Sequence, residues 1–165
     1  MSSHRLRGGA PAAGRVTESL AVGIPDGACV LIDTNPLIYL FEGSPLAAAF
    51  QPIFADIDAG RIQALVTPIT IAEVVGGPLK AGKEALAERY RHTLCAGARW
   101  SCCTIDDAIA MLAARLRALH RLRLPDAIQA AAALHHGCHA LVTHDRDFRA
   151  VPDLLVLGDQ PSARP

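Results

Sequence analysis

The sequence predicts an α/β fold, with a parallel sheet held between two layers of helices, and three observations predict it. Short apolar, β-branched runs alternate with longer segments of helical period between residues 28 and 158. Apolar residues make up 51% of the chain and aromatic residues only 4%, so Ala, Leu, Ile and Val must build the core. Strands that alternate with helices pair in parallel, and right-handed crossovers then cover both faces of the sheet.

The elements follow in order. Cys29-Val30-Leu31-Ile32 is a short buried strand closed by Asp33. Residues 36–41 and 46–59 carry helical patterns, the second ending at Gly60. Ile62 to Val66 is a second strand, and Pro68 opens a helix that Gly76-Gly77-Pro78 is expected to stop. A charged helix spans about 79–94, and a third strand about 99–104. Ile109, Leu112, Leu116 and Leu119 recur at helical spacing across 106–120. Pro125 opens a further helix that ends near His136, with Gly137 as its cap. Runs at 139–143 and 154–157 are the last two strands.

Residues 1–27 are rich in Gly, Ala, Pro, Ser and Arg without sustained period, and read as a flexible tail; 159–165 read as a short C-terminal tail. The folded domain is thus expected at 28–158, and removal of residues 1–26 is expected to leave it nearly unchanged. With 16 basic and 16 acidic residues, the formal charge is zero, which argues against a generally basic nucleic-acid binder but not against local basic patches. No run of about 18 uncharged apolar residues occurs, so no membrane span is expected. Five cysteines without metal spacing suggest free thiols in a reducing cytoplasm. The stretch His135-His136-Gly137-Cys138-His139 has the wrong spacing for a closed zinc site.

In a parallel sheet, ligands bind beyond the carboxyl ends of the strands, and acids collect there. Asp33 ends the first strand and Asp145 follows the fourth by two residues. Asp126 lies in the first turn of a helix that begins at the same edge, and Glu73 in the helix leaving the second strand. Singly, each acid has a structural reading: a helix cap, a first-turn acid, a turn residue or a solvated side chain. Those readings do not explain why all four mark one edge. Oxygen ligands of this kind suit Mg²⁺ or Mn²⁺ better than Zn²⁺.

Four segments also carry a resemblance. Leu31-Ile32-Asp33-Thr34-Asn35-Pro36-Leu37-Ile38-Tyr39 resembles the opening of the PIN-domain ribonucleases, particularly the VapC-type toxins. Thr70-Ile71-Ala72-Glu73-Val74, Leu124-Pro125-Asp126-Ala127-Ile128-Gln129-Ala130-Ala131-Ala132 and Leu141-Val142-Thr143-His144-Asp145-Arg146-Asp147-Phe148 resemble that family's later motifs, in family order. The resemblance implies a PIN-like three-layer α/β/α fold with a five-stranded parallel sheet, hydrolysing RNA phosphodiesters with Mg²⁺ or Mn²⁺. It makes Asp33, Asp126 and Asp145 direct or water-mediated metal ligands, and Glu73 a ligand or general base. Asn35 and Thr143 would orient carboxylates or phosphate, and Asp147 is the alternative fourth acid.

It further implies a homodimer and, for a toxin, a cognate antitoxin protein; an RNA-processing nuclease or a catalytically idle binding module is the alternative. Leu37, Tyr39, Leu40 and Phe41 offer apolar surface on which an antitoxin helix could dock. Arg115, Arg117, Arg121 and Arg123 form the most basic stretch, read either as a solvated face or as phosphate contacts, with Arg115 and Arg121 the candidates for orienting RNA.

Overall fold

Val30, Leu31 and Ile32 are all completely buried, so the strand they form, β1 (Cys29–Ile32), is covered on both faces. That is the environment of a parallel sheet with helices on either side. The computed structural model describes residue 21 and residues 23–158. Its elements are β1, α1 (Thr34–Phe41), a 3₁₀ turn (Pro45–Ala49), α2 (Gln51–Asp58), β2 (Gln63–Val66), α3 (Pro68–Lys80), α4 (Glu84–Ala96) and β3 (Trp100–Cys102). Then come α5 (Asp107–His120), α6 (Leu124–His135), β4 (Ala140–Val142), a second 3₁₀ turn (Arg146–Ala150) and β5 (Val156–Leu157). The five strands are all parallel, in the order β3-β2-β1-β4-β5. Among the described residues no helix is long and apolar enough to cross a membrane.

Strand side chains alternate between two cores. Val30, Ile32, Ala64, Val66, Ala140 and Val142 pack with residues of α1 to α4, including Leu37, Ile53, Val74 and Leu94. Leu31, Leu65 and Leu141 face the other way, onto α5, α6 and the second 3₁₀ turn through Ile109, Ala130 and Phe148. The chain moves outward from β1 to β3 with its helices on one face. It then returns past β1 to β4 and β5 with its helices on the other, as right-handed crossovers require. The direction reverses between β1 and β4. That switch point is where such sheets bind ligands.

Three expectations are corrected. The helix expected over 46–59 is broken at Phe50, where Ser44 caps a separate 3₁₀ turn and Pro52 starts α2. Gly76-Gly77-Pro78 does not stop α3, which runs on to Lys80. Pro78 lies so near the end that it forfeits one bond, to the carbonyl of Val74, while the helix stays anchored by buried Thr70 and Val74.

The third correction concerns the start of the domain. Most of the expected tails, 1–20 and 159–165, lies outside the described residues, but residues 23–26 do not. Ile24 is buried in the core and its carbonyl accepts from Arg61 Nη1 at 2.7 Å; the same nitrogen pairs with Asp26 at 3.0 Å. A lone isoleucine between Gly and Pro has no period to betray its burial. We therefore expect deletion of residues 1–26 to cost roughly 2 kcal/mol for the lost Ile24 alone. A thermal melt checks it: a drop of about 4–8 °C is expected for a domain of this size, and an unchanged midpoint would restore the boundary at 28.

Candidate active site at the carboxyl edge

Parallel pairing sets Ile32 beside Val142, and the Asp33 amide continues the ladder by donating to the Val142 carbonyl at 2.9 Å. Asp33 and Thr143 thus leave the sheet side by side, at the switch point. Asp33 occupies the N-cap position of α1, yet its side chain makes no capping bond. Its Oδ2 instead accepts from Thr143 Oγ1 at 2.7 Å, and its Oδ1 from Gln129 Nε2 at 3.2 Å. The cap reading of Asp33 does not hold.

Gln129 ties this carboxylate to a buried polar network. It is 1% exposed on a helix face otherwise made of alanines. Its Oε1 accepts from Thr67 Oγ1 at 2.9 Å, and its Nε2 donates to Thr70 Oγ1 at 2.6 Å. Thr67 also caps α3, accepting from the Thr70 amide. The network therefore joins β1, β4, α3 and α6 under the site, and among the described residues it leaves no buried side-chain polar atom unpaired.

The remaining acids stand around Asp33. Glu73 is exposed on α3 and accepts from the Thr34 hydroxyl at the start of α1. Asp126, nearly buried in the first turn of α6, is held by Arg123, with Nε to Oδ2 at 2.9 Å and Nη2 to Oδ1 at 3.5 Å. Asp145 donates its amide to Thr143 Oγ1 at 3.0 Å, and its Oδ1 caps the second 3₁₀ turn by accepting from the Asp147 amide at 2.9 Å. Asp147 itself is exposed and lines a shallow depression of about 370 Å³ with His120, Arg121 and Arg146. Of the two, Asp145 is bonded into the Asp33–Thr143 centre.

The electrostatics match this crowding. Burial pushes the Asp33 carboxyl above its ordinary range, against the pull of the Thr143 and Thr34 hydrogen bonds, and the charges of Asp126 and Glu73 push the same way. Burial also raises Asp126; Arg123 pulls it down, while Asp145 and Glu73 push it up. These carboxylates feel one another as like charges in a partly desolvated cluster. A divalent cation is the group that relieves such a conflict, and every donor here is a hard oxygen. Asp33 has used one acceptor position on each oxygen and keeps others. The donor chemistry fits a hard divalent cation. As the side chains stand, however, no three of the described His, Cys, Asp and Glu residues are close enough to hold an ion together.

The other expected residues are more scattered. Asn35 is exposed in the first turn of α1. Arg121 is exposed at the end of α5, in a left-handed conformation with φ 57° that turns the chain toward α6. α5 and α6 pack along one another and are joined by residues 121–123 alone, so the two helices run antiparallel and α5 ends where α6 begins. Arg115 is exposed six residues earlier, about 9 Å back along α5 from the acid edge. The structure does not bring it to the carboxylates.

Sequence reasoning missed Thr34, Thr67, Thr70 and above all Gln129, and it read Arg123 as a solvated face or a phosphate contact rather than as the partner of Asp126. Two had a signal: a glutamine alone among alanines on an apolar helix face, and an arginine three residues before the first-turn acid.

A doubly wound parallel sheet with acids at its switch point defines a class of protein. Residues 30–154 match the PIN domain, and the chain belongs to that family. It is 36% identical over 98 residues to Ribonuclease VapC4 of Mycobacterium tuberculosis, an alignment covering 56% of this chain and 74% of the relative. Among solved structures it is similar to a toxin–antitoxin complex from Klebsiella pneumoniae, at 32% identity and a TM-score of 0.59, covering 76% of this chain and 95% of that one. VapBC2 from Rickettsia felis shares the fold, with a TM-score of 0.62 at 16% identity, over 78% of this chain and 96% of that one.

Proposed function

We propose that the protein is a metal-dependent endoribonuclease, the toxin of a toxin–antitoxin pair, with its active site at the carboxyl edge between β1 and β4. One observation carries the reading: Asp33, at the switch point, is locked by Thr143 and Gln129 among the charges of Asp126 and Glu73. The names of the proteins it is similar to support the activity and the partner.

In this reading Asp33, Asp126 and Asp145 hold Mg²⁺ or Mn²⁺, directly or through water, with Glu73 as a further ligand or as the base. Such an ion, when bound, lowers the pKa of water and neutralises charge developing on the phosphate. Thr143 and Gln129 keep the Asp33 carboxylate in one orientation, so no reorganisation is needed as the reaction proceeds. Where Glu73, exposed at the rim, is not a ligand, it takes the proton of the attacking water, and Arg121 contacts the RNA backbone without reading its sequence. Asp147, exposed beside Asp145, is not assigned as a ligand, and exposed Asn35 orients carboxylate or phosphate.

The antitoxin would occupy an apolar groove of about 420 Å³ between α1, α3 and α4, lined by Ile38, Phe41, Val74, Pro78, Leu86 and Tyr90. Phe41 and Tyr90 stack at 4.1 Å along it. The anchors differ from those expected, since Leu37 is core and Tyr39 bonds His144 at 3.1 Å. The toxin is proposed to act as a homodimer.

Incubating the purified chain with total RNA tests the activity. Cleavage is expected in Mn²⁺ or Mg²⁺, loss in EDTA, and recovery when Mn²⁺ is restored in excess. Undiminished cleavage in EDTA would overturn the metal dependence, and no cleavage under any of the conditions would count against the nuclease.

A further inference from the structure

The acid edge already holds a cation of its own. Arg123 forks onto both oxygens of Asp126, and the charges of Asp145 and Asp147 also act on it. Its backbone is fixed: Arg121 turns the chain in the left-handed conformation, Leu122 is buried in the core beside α5 and α6, and Arg123 stands extended at the N-cap of α6. Its head is not fixed. The Arg123 side chain is 76% exposed, whereas that of Asp126 is 12% exposed.

We infer that Arg123 is the resting counter-ion of the acid cluster and must release Asp126 before that carboxylate can take up a divalent ion. Arg123 is then a positioning residue that sets metal affinity. The inference rests on the metal-dependent reading above. Asp126 accepts from the guanidinium at 2.9 Å on one oxygen and 3.5 Å on the other, so the lone pairs aimed at Arg123 are withheld from an ion shared with Asp33 and Glu73 while the pair persists. The pair is also easily opened, because an ion pair with one well-solvated partner is weak and a long arginine stem can swing outward with the backbone unmoved. The arrangement explains why three acids with mutual electrostatic influence do not converge on a common point. It gives the free protein a neutralised site that a divalent ion opens.

Titration calorimetry of Mn²⁺ into the full-length wild type, Arg123→Ala and Arg123→Gln tests this. Both variants should bind Mn²⁺ more tightly than wild type, by roughly two- to five-fold, the range that an ion pair of this exposure can supply. In thermal melts both should start lower in EDTA, having lost the counter-ion, and gain more on adding Mn²⁺. Arg123→Gln keeps the stem and a donor, so it reports on charge even if the alanine variant folds poorly. Equal or weaker Mn²⁺ binding by both variants, with wild type binding normally, would overturn the counter-ion role and leave the metal reading standing. No Mn²⁺ binding by any of the three would overturn both.

Discussion

Asp33→Asn is expected to reduce RNA cleavage by on the order of 10³-fold while leaving the protein folded, the scale of loss when one preorganised charged group leaves an active site. Asparagine has nearly the same shape and keeps an oxygen for Gln129 Nε2, but it lacks the second acceptor that Thr143 now uses. What it loses is the charge at the switch point. The same substitution should flatten the pH dependence of stability without metal. A carboxyl raised in the fold binds more protons than in the unfolded chain once pH passes the unfolded value of about 3.9. Wild-type stability should therefore fall as pH rises from there through the folded pKa, and level off above it. Melts in EDTA from pH 4 to 8 check this, and a wild type whose stability rises over that range would mean that the acids are net stabilised by their surroundings.

Gln129→Leu should produce the largest loss of stability of any single change at the site. Leucine fits the apolar face of α6 but leaves the Thr67 and Thr70 hydroxyls and one Asp33 oxygen without their partner. An unsatisfied buried group costs about 1–3 kcal/mol, and the two threonines can partly compensate each other across the 3.5 Å between their hydroxyls. We expect a net loss of about 3 kcal/mol, or roughly 6–12 °C in melting temperature. Gln129→Glu would be worse in a different way, by adding a charge beside Asp33. Urea denaturation at pH 7 gives the comparison; a leucine variant within 0.5 kcal/mol of wild type, roughly the scatter of neutral surface changes, would mean the network is incidental.

The strands were legible because a sheet buried on both faces writes its strands as unbroken apolar runs, as in Val30-Leu31-Ile32 and Ala140-Leu141-Val142. Asp33 directly follows β1, Asp145 comes three residues after β4 and Asp126 lies in the first turn of α6, so topology alone carries these three to the edge, whereas Glu73 sits more than a turn into α3. What was not legible depends on contact. Gln129 meets its partners across 62, 59 and 96 residues of chain, and no local pattern records such a meeting. Ile24 was hidden in a segment of loop composition, and Pro78 misled because its cost depends on how much helix remains after it. Arg115 was drawn in by its basic neighbours, although helical pitch carries it away from the edge.

Acids from separate elements are proposed to act as one site at this edge. RNA cleavage in Mn²⁺ by Glu73→Gln, Asp126→Asn and Asp145→Asn, measured beside Asp147→Asn from the same preparation, tests it most directly. The first three should each lose at least about 10²-fold, while Asp147→Asn stays within a few-fold of wild type. Cleavage that survives in the first three, or that fails only in Asp147→Asn, would contradict it.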